Sequence, residues 1–210
     1  MIVLSATYRQ TSTPSATSGL SSPVTVDADN RLLWRANRRR LDAEQLRDAL
    51  LLLGGKLDRT MYGPGFQDFV IEKPQHSPHY EYHLHDPNDP KSHRRSIYRF
   101  IVRSQPQPFM TTFDCADPSM QVDKRNESLS PLQALALLNN RLTLAMSEHF
   151  AERLSEHGSV RRQIERAFLE AIGRRPNSDE LPSLVAYAEQ HGSAAACRVV
   201  LNLNEFIFVD

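Results

Sequence analysis

The chain has 210 residues, of which 40% are hydrophobic and 24% charged, a composition typical of a globular protein that buries its own core. Its 25 Lys and Arg residues balance its 25 Asp and Glu residues, so no overall field steers it towards nucleic acid or an anionic membrane. The longest apolar run is far too short to span a bilayer, and the first residues lack the basic region of a signal peptide. We therefore expect no nucleic-acid partner, no transmembrane segment and no signal peptide in this chain.

The N-terminal part, residues 1–58, is predicted to be a helical segment. The opening "MIVLSATYRQ" is typical of the end of a helix whose beginning is missing, so we expect the chain to be truncated or frayed there. A loop rich in Ser, Thr and Pro follows from Thr11 to Asn30, and a short helix is predicted through "RLLWRANRR".

The next helix has clear start and stop signals. Asp42 is a good N-cap, and Gln45 is placed to complete a capping box. Gly54 and Gly55 supply a C-terminal stop. The spacing predicts one apolar face formed by Leu46, Leu50, Leu53 and Leu57.

Residues 62–119 change character, because Pro and Gly become frequent and helix signals disappear. Four short stretches rich in β-branched or aromatic residues predict a small antiparallel sheet: "FQDFVIEK", "HYEYHLH", "RSIYRFIVR" and "FMTTFDC". Strand alternation in "HYEYHLH" would place four side chains on one face, namely His79, Glu81, His83 and His85.

Residues 128–210 are predicted to form a helical bundle. Its first helix starts with Ser130 as N-cap and Gln133 as capping-box partner, and the pattern carries it to about Ser155. Further helices are expected over Ser159–Ile172 and from Ser178 and Ser193, and the apolar tail "NEFIFVD" should dock on the bundle. The predicted fold is mainly α, a helical bundle with a small antiparallel β insertion in the middle, in a single domain over residues 1–210; an α+β fold is the alternative.

Two cysteines, Cys115 and Cys197, are present, and they form no CxxC motif and no CxxCH haem-attachment motif. They are either two buried thiols or one disulfide, and their apolar surroundings favour two buried thiols. No cofactor is expected in this chain, with Zn²⁺ as the one exception considered below.

Several stretches occur in an order that is familiar from a known family. They include "SATYRQTS", "RRSIYRFIVRS", "FDCADPS", "RNESLSPLQALALLNN" and "LNLNEFIFVD". The chain resembles the planctomycete-type C-terminal domain of unknown function (domain of unknown function fifteen fifty-three). The resemblance implies a multidomain protein of the periplasm, the cell envelope or the extracellular space. It also implies a partner there, either an upstream cytochrome-like domain or another envelope protein, but it brings no established activity.

One histidine-rich stretch, "HSPHYEYHLHDPNDPKSH", spans His76 to His93 and suggests a metal site. Two His residues at i and i+2 of a strand point to the same side, about 7 Å apart at Cα, and Zn²⁺ accepts imidazole nitrogen. His83 and His85 fit that spacing, with Glu81 or His79 as a third ligand. The alternatives are a solvated polar strand face and a pH-sensitive binding face.

A second cluster consists of arginines on another predicted strand. Arg95, Arg99 and Arg103 would share a face and could bind a sulfate, carboxylate or phosphate group. The alternative is that they pair with the many acidic side chains of the chain, Asp48 among them.

These observations leave three functional hypotheses. The leading one is a non-catalytic structural or interaction module of a multidomain envelope protein. The second is a metal-dependent hydrolase acting on polysaccharide through the His-x-His pair. The third is a module that docks a c-type cytochrome domain through its arginine row or its histidine face.

Overall fold

The computed structural model describes residues 2–12, 22–72, 77–121 and 123–209. They fall into two compact units, one within Met1–Arg40 and Phe208–Asp210 and the other within Leu41–Ile207. The expectation that residues 1–210 form a single domain stays a prediction. Over the described residues the fold is mainly α with two small antiparallel sheets, which confirms the predicted fold class.

The smaller unit has little regular structure. It contains α1 (Pro23–Val26) and β1 (Arg39–Arg40), which pairs antiparallel with β4 (Phe208–Val209). The helix predicted through "RLLWRANRR" is wrong, because this stretch forms turns. The Asp27 carboxylate accepts the backbone N–H groups of Arg31 and Leu32 at 2.9 and 2.7 Å, which favours a turn over a helical ladder.

The larger unit begins with α2 (Ala43–Leu53), and the predicted capping box of Asp42 and Gln45 is present. The second predicted capping box, Ser130 with Gln133, is also present. The long helix expected after it is interrupted at Asn140, which has an extended backbone and caps the following helix through its own side chain. The remaining helices of this unit are α3 (Pro108–Thr112), α4 (Pro131–Asn139), α5 (Arg141–Ser155), α6 (Val160–Ala171), α7 (Glu180–His191), α8 (Ser193–Val200) and α9 (Asn204–Ile207).

The helices of this unit share two apolar clusters. The larger one joins α2, α3, α4 and α5 around buried side chains such as Leu50, Phe113, Leu137 and Phe150. The smaller one joins α6, α7 and α8. Phe206 of α9 is buried in the larger cluster, which confirms that the apolar tail docks on the helices.

The described residues within 58–107 (58–72 and 77–107), called the central segment below, contain much less sheet than predicted. β2 (Val70–Glu72) and β3 (His79–Glu81) form an antiparallel hairpin, with Ile71 opposite Tyr80. The strand predicted through "RSIYRFIVR" is wrong, since Ser96–Tyr98 is a 3₁₀ turn. The strand predicted through "FMTTFDC" is also wrong, because Gln107 caps a helix whose first residue is Pro108.

Candidate functional site

The predicted histidine face does not form, because β3 ends at Glu81 and Tyr82–Leu84 is a 3₁₀ turn. His83 Nδ1 lies 3.1 Å from Glu81 Oε2, and the His83 side chain is largely exposed. His85 is partly buried and lines a cavity. His79 is exposed at the start of β3, and His76 lies outside the described residues.

The side chains therefore do not share a strand face as expected. Within the part of the chain that the structure describes, no three His, Cys, Asp or Glu side chains are grouped in a way that could hold a metal ion. Metal binding by His83, His85 and Glu81 stays a prediction, now without the strand geometry on which it was based.

The predicted arginine row is also rearranged, since its residues lie in turns and irregular backbone. Arg99 is almost fully buried, with Nη1 3.8 Å from Asp68 Oδ1. Arg95 is half exposed, with Nε 3.7 Å from Asp48 Oδ2. Arg103 is exposed. Two of the three thus lie beside acidic side chains, and anion binding by the set stays a prediction.

Arg47 of α2 is a buried cation that binds the central segment. Its guanidinium donates to the carbonyl oxygens of Ser92 and Arg94, the latter at 3.0 Å, and to Ser96 Oγ at 3.3 Å. Burial lowers the Arg47 pKa to about 10, against the opposing effect of the Asp68 and Asp48 carboxylates. The side chain therefore stays protonated at neutral pH, as its carbonyl partners require.

Two further arginines bind backbone carbonyls of the same segment. Arg94 donates to the carbonyls of Thr60, Tyr62 and Pro64. Arg141 of α5 donates to the carbonyls of His83 and His85, the latter at 3.1 Å. We call Arg47, Arg94 and Arg141 the arginine anchors, because their guanidinium groups hold irregular backbone in place.

A cavity of about 320 Å³ opens between the central segment, α3 and the junction of α4 and α5. Asp68 lines it, and its side chain is only 7% exposed. Burial raises the pKa of the Asp68 carboxyl, and the Arg99 and Arg47 guanidinium groups oppose that rise. Burial also lowers the pKa of His85, which therefore favours the neutral imidazole at pH 7.

The cavity wall also carries aromatic and amide side chains. Tyr82 donates its hydroxyl to the Gln105 carbonyl at 2.8 Å, which fixes the ring. The remaining lining includes Gln107, Pro108, Phe109, Asn139, Asn140 and Leu142. Acceptors, donors and apolar surface thus meet in one concave site, as in small-molecule pockets.

Asp68 and Arg47 are two buried, charged residues of this site that sequence reasoning missed, and Gln107, Asn139 and Arg141 were missed as well. Asp68 lies between Phe66 and Phe69, which are both buried. The only signal in the sequence for a buried Asp68 was therefore a single acidic residue in an aromatic stretch. Arg47 lies next to Leu46 and one turn before Leu50 and Leu51, on the apolar side of α2. A charged residue at that position of a helix indicates a buried, partnered side chain.

Neither of the two cysteines lines this cavity, and neither forms a disulfide, which confirms the prediction of thiols. Cys197 is buried in α8, and burial raises its pKa to about 12. Cys115 is partly buried, with its Sγ 3.6 Å from Glu44 Oε1, and burial raises its pKa as well. Both thiols therefore favour the protonated, unreactive form.

Among the described residues, no helix is both long enough and apolar enough to cross a bilayer. Comparisons with curated proteins and with solved structures found no match to this chain. A family model described as "PSD1: Protein of unknown function (DUF1553)" matches residues 1–188. The match covers most of the chain, so this protein belongs to the DUF1553 family.

Proposed function

We propose that the chain is a non-catalytic structural or interaction module of a multidomain extracytoplasmic or envelope protein. The observation that carries the proposal is the way the arginine anchors hold the central segment. Their guanidinium groups bind main-chain carbonyls in two parts of the segment, residues 60–64 and residues 83–94, and so hold irregular backbone in place. A fixed, irregular loop surface is typical of recognition modules, since little ordering entropy remains to be lost on binding.

The fixed backbone also leaves large hydrophobic side chains in contact with solvent. Tyr62 is 81% exposed and Ile97 is 77% exposed. Exposed apolar side chains on a segment that the arginine anchors hold support a role in protein contacts more than a role in chemistry. The distribution of charge supports the same reading, because Arg95 and Arg99 lie beside Asp48 and Asp68.

The first experiment separates this proposal from the metal-dependent hydrolase. The purified chain is loaded with Zn²⁺, freed of excess metal and analysed for zinc, beside a His83→Ala/His85→Ala variant. A matched control replaces two exposed histidines elsewhere, His157→Ala/His191→Ala. We expect the same low zinc content in all three proteins, and no polysaccharide hydrolysis. One zinc ion per chain that is lost only from the His83/His85 variant would overturn the non-catalytic role.

The second experiment tests the interaction with a purified c-type cytochrome domain as probe. We expect saturable binding that weakens as salt rises from low to high concentration, because surface charges are screened within about 8 Å at physiological ionic strength. Tyr62→Ala and Ile97→Ala should weaken binding, and Leu169→Ala on α6, which is also exposed, should not. Equal binding by all variants would show that the central segment is not part of the interface. The absence of any binding would exclude c-type cytochrome domains as partners.

A further inference from the structure

We infer that the cavity lined by Asp68 and His85 binds a small, neutral, hydroxylated ligand, of the size of one sugar ring or cyclic polyol. This inference is independent of the proposed role as an interaction module. It rests on the hydrogen-bonding capacity, the charge and the size of the cavity.

The first observation is a buried hydrogen-bond acceptor, Asp68 Oδ1, that has no donor within the described part of the chain. Among the described residues, Asp68 Oδ1 has no hydrogen-bond partner, although the side chain is 7% exposed. The nearby Arg99 Nη1, at 3.8 Å, is too distant for a hydrogen bond. A buried carboxylate oxygen without a donor is costly, so it calls for a hydroxyl or amine hydrogen from a bound molecule.

The charges around Asp68 decide between a hydroxyl and an amine. Arg47 and Arg141 line the same cavity, and Arg99 lies beside the carboxylate. Two guanidinium groups beside the carboxylate, with Arg141 on the wall of the same cavity, repel a cationic ligand. The ligand donor is therefore a hydroxyl group.

The same guanidinium groups do not form an anion site. Arg47 directs both of its Nη groups to backbone carbonyls of the central segment, and Arg141 directs its Nη1 there, so these donors are already used within the protein. Asp86 and Asp89 lie close enough to His85 to influence its titration, which adds negative charge near the cavity. A neutral ligand fits this balance better than an anion.

The walls supply the other contacts of a hydroxylated ring. Gln107 Oε1 accepts the Met110 N–H at 2.8 Å, which leaves the Gln107 amide NH₂ as a donor. Asn139 Nδ2 donates to the Leu135 carbonyl at 3.1 Å, which leaves the Asn139 amide oxygen as an acceptor. Tyr82 and Phe109 provide apolar surface for the C–H groups of a ring. A volume of about 320 Å³ is at the small end for ligand pockets and suits one ring rather than a chain.

The experiment compares matched probes by isothermal titration and ligand-observed NMR at pH 7 and constant ionic strength. Glucose is neutral, glucosamine cationic and glucuronate anionic, while myo-inositol tests whether a sugar or any cyclic polyol suffices. We expect saturable binding of glucose or myo-inositol, with both charged analogues at least about tenfold weaker. Tighter binding of either charged analogue, or no saturation by any probe, as for a cavity that holds only water, would overturn the inference.

Variants place the binding in this cavity. Asp68→Asn should weaken binding of the neutral probe by about tenfold, because hydrogen bonds to a charged acceptor are roughly twice as strong as neutral ones. Asn139→Ala at the rim should also weaken it, while the exposed Asn126→Ala serves as matched control. If Asp68→Asn does not fold, as judged by thermal unfolding, the comparison of Asn139→Ala with Asn126→Ala decides alone. Unchanged binding by folded Asp68→Asn, or by Asn139→Ala, would overturn the assignment.

Discussion

Arg47 Nη1 lies 3.0 Å from the carbonyl oxygen of Arg94, a residue 47 positions further along the chain. The same guanidinium contacts the carbonyl of Ser92, so one side chain of α2 satisfies two backbone acceptors of the central segment. Because Arg47 and Ser92 are both buried, water cannot replace their hydrogen bond when the Arg47 side chain is shortened.

Arg47→Lys should therefore destabilise the protein although it keeps the charge. A lysine lacks the planar fork and cannot reach both carbonyls at once, and we expect the free energy of unfolding to fall by about 3 kcal/mol. Urea unfolding followed by circular dichroism measures the change. Arg95→Lys is the control, since the Arg95 side chain is half exposed and should change stability by no more than about 0.5 kcal/mol. Equal effects of the two substitutions would refute the anchor role.

The second prediction concerns acid stability. Arg174 donates to both oxygens of Glu180, each at 2.8 Å, and this interaction lowers the Glu180 pKa to about 2. Its contribution is fully present above the ordinary pKa of 4.5 and is lost as the pH falls through about 2. Glu180→Gln should cost about 1 kcal/mol at pH 7, and its stability should converge on that of the wild type between pH 4.5 and 2.

Thermal unfolding across this pH range checks the prediction. Glu189→Gln is the matched control, because Glu189 is exposed on the same helix, α7. A pH-independent difference between Glu180→Gln and the wild type would show that the ion pair does not supply the stability.

The third prediction concerns a close backbone approach at Gly65. A Cβ atom there would lie 2.8 Å from the Tyr98 carbonyl oxygen, which also accepts the Phe66 N–H at 3.0 Å. The alanine Cβ of Gly65→Ala must push apart the two backbone segments that the Phe66–Tyr98 hydrogen bond joins. We expect the free energy of unfolding to fall by about 2 kcal/mol. Gly63→Ala is the comparison: its Cβ would meet open space, and its φ of +85° gives a conformational cost of about 1 kcal/mol. In urea unfolding, Gly65→Ala should therefore have a lower midpoint concentration than Gly63→Ala. A lower midpoint for Gly63→Ala would contradict the prediction.

The fourth prediction concerns thiol chemistry. Because burial raises the pKa of Cys197 to about 12 and also raises that of Cys115, native protein at pH 8 should react with a disulfide reagent at least about tenfold more slowly than a small thiol. In denaturant, two thiols per chain should react at once. Cys115→Ser and Cys197→Ser assign the residual native rate, which we expect to belong to the partly buried Cys115. Fast native labelling of Cys197 would show that α8 opens readily.

Local signals in the sequence were sufficient for the starts of α2 and α4. The capping boxes at Asp42 and Ser130 need only a side chain three residues away, so their start positions could be predicted. The break at Asn140 was missed because the apolar pattern continues across it, whereas the Asn140 side chain caps the next helix.

The central segment and the cavity could not be predicted in the same way. Period-two alternation suggested a strand through His85, but Arg141 holds the carbonyls of His83 and His85 from α5, 58 and 56 residues away in the chain. Asp68 became a candidate site residue only because it is buried beside Arg99, and no local sequence pattern predicts that contact. Long-range contacts between side chains and backbone therefore account for most of the difference between expectation and structure.

The hydrogen bonds of the arginine anchors go mainly to main-chain carbonyls of the central segment, although Arg47 also donates to Ser96 Oγ. Every residue, proline included, offers the same carbonyl oxygen, so these contacts do not depend on the identity of the residue that supplies it. An exposed position such as Ile97 is therefore free to change without altering the backbone that displays it. Relatives that keep Arg47, Arg94 and Arg141 could present different chemistry on the same scaffold, which makes this segment a natural place for binding specificity to diverge.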